Sequence, residues 1–203
     1  MSDAPSRPYR GVPADARVAA RRERLLAACL EEVDAVGVAG VTVRAVGERA
    51  GLTRRYFYES FDDLDALLAA AFDALRDEIT AAVARVLAPL HAEGAPFEAR
   101  ARASIAAALA VVLDTPAKGR LLLAAGDGPL ARRRHAALDA FVALVAEELP
   151  GAEPPAAREL RARMIAGGLL ELADAWLRGA LPPEVDRDEL VAHATRMATA
   201  LAA

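Results

Sequence analysis

The sequence has few of the residues that build disulfides or metal sites. It contains one cysteine, Cys29, and three histidines. A single thiol cannot form a disulfide within the chain. The histidines lie far apart, at His91, His135 and His193, and none has a second histidine or a cysteine at metal-ligand spacing. We therefore expect neither a metal site nor a bound cofactor.

Motifs of the common catalytic sites are also missing. The chain has no Gly-x-Ser-x-Gly, no phosphate-binding glycine loop and no dinucleotide fingerprint, and Gly126-Asp127-Gly128 is most simply a turn. Glu171 and Asp174 lie within an apolar run. Three interpretations stay open for these two carboxylates: a solvated helix edge, a contact to a ligand, or acid–base chemistry. The sequence as a whole predicts that the protein is not an enzyme.

Long uncharged apolar runs and a signal peptide are absent as well. A helix that crosses a bilayer needs about 20 apolar residues in succession. We therefore expect a cytoplasmic protein without membrane contact. Lysine is nearly missing too, since Lys118 is the only one among 25 basic residues. With abundant alanine and arginine, this bias indicates a GC-rich bacterial genome.

What the chain does have is helix-forming sequence. Hydrophobic residues make up 55% of it, mostly alanine, leucine and valine, and aromatic residues only 4%. Alanine and leucine favour helix, prolines cluster at the ends of periodic runs, and no stretch alternates apolar and polar residues as a strand would. The pattern predicts an all-α fold of about nine helices, over residues 15–35, 43–50, 54–60, 64–90, 97–114, 116–125, 128–149, 155–179 and 185–202.

Two short predicted helices form the most informative stretch, residues 42–61, which reads TVRAVGERAGLTRRYFYESF. Thr42 can cap the first helix, Gly51 ends it, and Thr53 can cap the second. Two short helices joined by a tight, glycine-containing connection are typical of a helix-turn-helix.

The second of these helices has one apolar face and one face suited to binding. Phe57 and Phe61 lie four residues apart and are predicted to face the core. A rotation of about 100° per residue places Arg55 opposite Phe57, with Tyr56 and Tyr58 on the flanks. Exposed tyrosines favour a DNA-reading surface. The alternative is a helical hairpin whose arginines form a solvated face.

Charge is distributed unevenly along the chain. The net charge is −4, yet residues 1–24 and residues 40–58 each carry an excess of three positive charges. Basic segments on an acidic body are typical of a DNA-binding protein with a separate body domain. Residues 1–14 are expected to be a disordered basic arm that contacts the minor groove or phosphates, or else a solubilising tail.

With its acidic-capped following helix, the run at 42–61 resembles the DNA-binding domain of TetR-type (TetR/AcrR) transcriptional regulators, over residues 15–68. The resemblance implies a helix-turn-helix domain at 15–62 and a helical effector-binding and dimerisation domain at 63–203. It implies a sequence-specific regulator, a repressor released from its operator by a small molecule. An activator of the same family, or a ligand-binding helical protein without DNA function, are the alternatives.

The resemblance also assigns contacts to double-stranded DNA. Arg55 and Arg54 would reach base edges, Tyr56 would touch a base or a thymine methyl, and the remaining residues would hold phosphates or the groove edge. The full set is Thr42, Arg44, Thr53, Arg54, Arg55, Tyr56, Tyr58 and Ser60. Two residues depart from the family pattern, because Leu64 replaces a phosphate-binding lysine and Glu59 replaces a polar or basic residue.

The body, by the same resemblance, holds an effector pocket and a dimer interface. Apolar candidates for an apolar or amphipathic effector are Ile79, Leu122, Phe141, Met164 and Trp176. The last two helices carry apolar stripes that are expected to pair in a homodimer and so to read a near-palindromic operator. These stripes are Ile165, Leu169, Leu172 and Trp176 on one helix, and Leu190, Ala194, Met197 and Leu201 on the other. An ordinary internal core fits the same spacing.

Overall fold

Helices account for all of the regular structure in the described residues. The computed structural model describes residues 14–124, 129–152 and 154–203, and no strand occurs among them. The prediction of an all-α fold with nine helices is confirmed, with an added short 3₁₀ helix at Val38–Gly40. The helices are α1 Ala14–Val36, α2 Val43–Ala50, α3 Arg54–Tyr58, α4 Leu64–Ala92, α5 Phe97–Leu113, α6 Pro116–Leu123, α7 Pro129–Glu148, α8 Pro155–Leu177 and α9 Arg187–Ala202. The predicted basic arm lies outside the described residues, apart from residue 14, as does most of the predicted turn at Gly126.

Side-chain caps and a left-handed glycine fix the ends of α2. The Thr42 hydroxyl accepts a hydrogen bond from the Ala45 N–H at 3.2 Å, and Gly51 ends the helix with φ 61° and ψ 36°. Only glycine adopts this backbone region without cost. Thr53 stands at the N-cap position of α3, but its hydroxyl makes no capping hydrogen bond. The predicted cap at Thr53 is therefore wrong.

Several helix ends fall short of the predicted bounds, among them one end each of α3, α8 and α9. Helix α3 ends at Tyr58 rather than Ser60, and the Ser60 hydroxyl donates to the Tyr56 carbonyl at 3.0 Å. Helix α9 begins two residues later than predicted because Asp186, overlooked as a cap, accepts from the Glu189 N–H at 2.8 Å. Helix α8 ends at Leu177, before Gly179 at φ 63°.

Two clusters of buried side chains form the core. The N-terminal cluster joins α1, α2, α3, α6 and the first half of α4 around residues such as Leu25, Val46 and Phe57. The C-terminal cluster joins α5, α7, α8 and α9 around residues such as Ile105. Ile79 of α4 packs against both clusters, so α4 connects the helix-turn-helix to the body.

The apolar stripes predicted to form the dimer interface lie mostly inside the protomer. Seven of their eight members pack in the C-terminal cluster; Met197, at 61% exposed, is the exception. Ile165, Leu190 and Ala194 are buried core residues, so their assignment to a dimer surface is corrected. The outer face of α8 carries instead Leu160 and Met164, at 65% and 61% exposed, followed by the exposed Gly167 and Gly168.

Candidate nucleic-acid interface and central cavity

Helix α3 is held by one buried aromatic ring and presents the rest of its side chains to solvent. Phe57 is 0% exposed and lies 6.1 Å from Phe61, centroid to centroid. Its ring meets that of Tyr58 edge to face at 5.4 Å, a favourable arrangement for aromatic pairs. Tyr56 and Tyr58 are nevertheless 40% and 45% exposed. The helix is anchored on one side only.

The two arginines of α3 lie on its outer face and contact residues one turn further along. Arg55 is 85% exposed, and its Nε donates to Glu59 Oε1 at 2.9 Å. Arg54 places its guanidinium 5.5 Å from the Tyr58 ring centroid, and its Nη2 donates to the Tyr58 hydroxyl at 3.3 Å. Exposed pairs of this kind contribute little stability, so both arginines can exchange these partners for DNA at small cost.

Arginines of α1 support α3 from behind, a role that the sequence did not reveal. Arg21 lies over the Tyr56 ring at 5.0 Å and 3.7 Å from the Glu59 carboxylate. Arg22 lies over the Phe61 ring at 4.2 Å and donates to the Ser60 carbonyl at 3.0 Å. The sequence counted these residues only as part of a basic N-terminal region. In the structure they connect α1 to α3 and the residues that follow it.

The two arginines of α2, Arg44 and Arg49, have different partners. Arg44 is 87% exposed and pairs with Glu48 at 2.8 Å, and that hydrogen bond raises the pKa of the Arg44 guanidinium. Arg49 instead turns towards α1, where its Nε donates to the buried Glu32 at 2.7 Å. Of these two arginines, Arg44 is the one on the open surface.

The two departures from the family pattern have structural explanations. Leu64 is partly buried and packs against the N-terminal cluster, so its side chain contributes to the core where a lysine would reach outward. Glu59 accepts from Arg55 and faces Arg21. In the free protein this carboxylate therefore neutralises part of the basic surface.

The residues predicted to contact DNA are all accessible to solvent. Thr42, Arg44, Thr53, Arg54, Arg55, Tyr56 and Tyr58 are exposed, and Ser60 is half-buried. They come from three consecutive segments: the start of α2, the start and body of α3, and the residues just after α3. The surface so defined combines guanidinium groups, phenols and hydroxyls, which are the donors that recognise phosphates and base edges.

A cavity of about 280 Å³ lies between α4, α5, α6, α7 and α8. Its lining includes three of the five residues predicted for a ligand pocket, Ile79, Leu122 and Phe141. Met164 does not line it, because this side chain lies on the outer face of α8. Trp176 packs in the C-terminal cluster and is also absent from the lining. The pocket assignment of these last two residues is corrected accordingly.

Sequence reasoning missed the polar groups of this cavity. One end carries Arg76, Arg134 and His135, which in the sequence look like ordinary solvated charges on α4 and α7. A second lobe of about 220 Å³ shares Ile79 and Phe141 with the first and carries other polar groups, including Arg100. The positions of these polar residues along their helices did not predict a shared cavity, because the helices that bring them together are distant in sequence.

Other residues of interest take part in surface pairs. Glu171 and Asp174 both pair with Arg178, at 3.5 Å and 2.7 Å, as expected of a solvated helix edge. His91 faces Glu148 at 3.0 Å. Within residues 14–124, 129–152 and 154–203, no group of three or more potential metal ligands converges. Over the same residues, no helix combines the length and the hydropathy needed to span a bilayer.

Comparison with known proteins gives consistent matches. A family model described as "Bacterial regulatory proteins, tetR family" matches residues 25–71. The HTH-type transcriptional regulator BetI of Burkholderia thailandensis is 34% identical over 167 residues, which cover 79% of this chain and 82% of BetI.

Solved structures show the same fold at low sequence identity. A TetR-like transcriptional regulator from Rhodococcus sp. RHA1 superimposes with a TM-score of 0.74 at 19% identity, over 93% of this chain and 97% of that one. FadR from Bacillus subtilis, solved in complex with stearoyl-CoA, superimposes with a TM-score of 0.69 at 15% identity, over 89% of this chain and 97% of FadR.

Proposed function

The chain belongs to the tetR family of bacterial regulatory proteins and is a DNA-binding transcriptional regulator, and we propose that it is a homodimeric repressor released from its operator by a small molecule. Residues 15–62 form the DNA-binding unit in this proposal, and residues 63–203 bind the effector and the second subunit. In each subunit α3 enters the major groove.

The observation that carries the proposal is the one-sided anchoring of α3. Phe57 occupies the core while Arg54, Arg55, Tyr56 and Tyr58 remain exposed on a five-residue helix. A guanidinium can bridge guanine O6 and N7, so Arg55, and Arg54 beside it, are assigned to base edges. Tyr56 is assigned to a base or a thymine methyl.

The remaining residues of the surface are assigned to the DNA backbone. Thr53, Tyr58 and Ser60 carry hydroxyls near the two ends of α3, and Thr42 and Arg44 lie at the start of α2. Contacts to phosphates fix the register of a protein on the duplex without reading sequence. The Thr53 hydroxyl makes no capping bond and is therefore available for such a contact.

The outer face of α8 supports the proposed dimer. Leu160 and Met164 are well exposed there, and Met197 is equally exposed on α9. A Cβ added at Gly167 or Gly168 would meet nothing within 4 Å, so no neighbour within the protomer requires glycine. Since each glycine inside a helix costs about 0.5–1 kcal/mol relative to alanine, close approach of a partner helix is the simplest reason for the pair.

A two-fold dimer places two copies of α3 on one face of the duplex. Half-sites then lie about one helical turn apart, and the operator is close to palindromic. Effector binding in the body shifts the equilibrium between two dimer arrangements that differ in the spacing of the two copies of α3. A ligand shifts this equilibrium only to the extent that it binds one arrangement more tightly than the other.

The contacts between the cavity and the DNA-binding unit offer a route for this coupling. Helix α6 supplies Leu122 to the cavity, and two residues before it Arg120 forms an ion pair with Asp34 of α1. Lys118, also in α6, pairs with Glu78 of α4 at 2.6 Å. Movement of α6 would therefore be transmitted to α1 and α4, the helices that precede and follow the helix-turn-helix.

Selection of bound duplexes from random DNA, using the full-length protein, tests the proposal. We expect a near-palindromic sequence whose half-sites lie about 10 base pairs apart, centre to centre. The selected duplex should bind one dimer, as judged by sedimentation of the complex. Recovery of no common sequence would contradict the proposed operator, and a single asymmetric half-site would contradict the dimer.

A further inference from the structure

The central cavity has two lobes that share part of their lining. The first lobe measures about 280 Å³ and the second about 220 Å³. They share a wall of apolar side chains from four of the surrounding helices, which includes Ile79, Ile105, Phe141 and Leu169. Cavities of this kind bind ligands mainly through apolar contact and use a few polar groups to fix orientation.

The polar end of the first lobe is basic. Arg76, Arg134 and His135 line it, and no carboxylate belongs to its lining. Arg76 is already paired, with Asp73 at 3.2 Å and Asp77 at 2.8 Å.

Of the three basic groups at this end, Arg134 is the one without a partner among the described residues. His135 donates from Nδ1 to the Ala131 carbonyl at 2.8 Å, since a carbonyl can only accept. Arg134 is half-buried and has no hydrogen bond or ion pair to another described residue. A half-buried guanidinium without an acceptor favours an anion beside it.

The charged groups in the lining of the second lobe are one arginine and two carboxylates. Arg100 donates to Glu148 at 2.9 Å and to the Ala95 carbonyl at 2.7 Å. His91 also faces Glu148, at 3.0 Å, and Glu147 adds another carboxylate to the lining. An anionic group is therefore disfavoured here. A cationic group finds Glu148 already occupied by two basic side chains.

We propose that this cavity binds an amphipathic carboxylate, with its aliphatic chain along the two apolar lobes and its carboxylate at Arg134. The inference rests on the proposed effector role of the cavity and adds the chemical class and orientation of the ligand. Arg134, which is half-buried, supplies the counter-charge. The shared apolar wall accepts the chain, and each added methylene strengthens binding about fourfold until the lobes are full.

Calorimetric titration of the full-length protein with three ligands of equal chain length tests the charge. The ligands are decanoate, decan-1-ol and decyltrimethylammonium. Decanoate should bind at least about tenfold more tightly than either of the others, as expected for a charge-assisted hydrogen bond. Titration of the series from hexanoate to decanoate should show the stepwise gain.

Variants of α7 locate the headgroup. Arg134→Gln should remove the preference for decanoate over decan-1-ol, while Arg134→Lys should retain most of it. Arg132→Gln is the matched control, since Arg132 lies on the same helix, is exposed and is absent from the cavity lining; it should behave as the unaltered protein. Affinity for the selected operator in the absence of ligand reports whether each variant is folded.

The outcomes separate this inference from the proposed function. Equal binding of the three ligands, tighter binding of the cation, or a preference that survives in Arg134→Gln would each overturn the inference. Failure of every ligand to bind while operator binding is intact would overturn it too and leave DNA regulation standing. Loss of operator binding with the decanoate preference intact would instead sink the proposed regulator and leave the ligand assignment standing.

Discussion

Replacement of Arg55 by alanine tests the surface that is proposed to read DNA. In the free protein this side chain is 85% exposed and pairs with Glu59 at 2.9 Å. An exposed pair with i, i+4 spacing contributes about 0.3–0.5 kcal/mol, whereas a bidentate contact to guanine contributes about 1–3 kcal/mol of discrimination. The DNA contact outweighs the ion pair. Arg55 should therefore leave Glu59 when it meets its base.

Arg55→Ala should weaken operator binding about 5- to 150-fold for each of the two half-sites, because 1.4 kcal/mol corresponds to a factor of ten. It should also relax the preference at one base pair in each half-site. Anisotropy titrations against the selected operator and its single-base variants measure both effects. Arg132→Ala, an exposed α7 residue outside the helix-turn-helix, is the control and should bind as the unaltered protein does. The melting temperature of Arg55→Ala should fall by no more than about 2 °C.

Glu59→Gln should have the opposite effect. The change removes a carboxylate that faces both Arg55 and Arg21, so the basic surface becomes more positive. Binding should tighten about two- to fivefold at low salt, for the operator and for unrelated duplexes alike, and the gain should shrink as salt rises.

If Arg55→Ala keeps the affinity and base preference of the unaltered protein, α3 does not read DNA and the reasoning is refuted.

Four further predictions follow from the burial or exposure of single side chains. Phe57→Ala should lower the free energy of unfolding by about 3–5 kcal/mol in chemical denaturation, since Phe57 is 0% exposed; Tyr58→Phe, at an exposed position, should leave stability unchanged and weaken binding to all duplexes equally. Burial, with a smaller contribution from Glu32, raises the pKa of the Cys29 thiol from 9.0 to about 12. Cys29 should therefore react with a thiol reagent at pH 8 only after unfolding, and labelling of the folded protein would contradict this. The contribution of the neutral thiol to stability is intact below pH 9 and should be lost as the pH rises towards 12. Met164→Glu should halve the sedimenting mass without destabilising the protomer, because Met164 is 61% exposed, and a persistent dimer would rule out the α8 face.

The helix-turn-helix was predictable from sequence because its signals are local. Thr42 caps α2 and Gly51 ends it in the left-handed region, and both features depend on residues within a few positions. Phe57 and Phe61 lie one helical turn apart, so helical periodicity alone predicts that they share the buried face. The same rule predicts that Tyr56 and Tyr58 are exposed.

Contacts between segments distant in the chain could not be predicted from the local sequence pattern. Arg22 and Ser60 are 38 residues apart, and nothing in the sequence near Arg22 indicates that it supports α3. Helix α8 is apolar on more than one face, so periodicity could not tell that Ile165 faces the core while its neighbour Met164 faces out. The basic end of the cavity was missed for the same reason, because Arg76 and Arg134 come from helices that meet only in the folded chain.

The ratio of affinities for the selected operator and for a scrambled duplex tests the central claim most directly. Anisotropy titrations of the full-length protein against both duplexes, at one fixed salt concentration, give this ratio. Sequence reading by α3 predicts that the operator binds at least about a thousandfold more tightly, and that Arg55→Ala reduces the ratio. Equal affinity for the two duplexes would contradict the account.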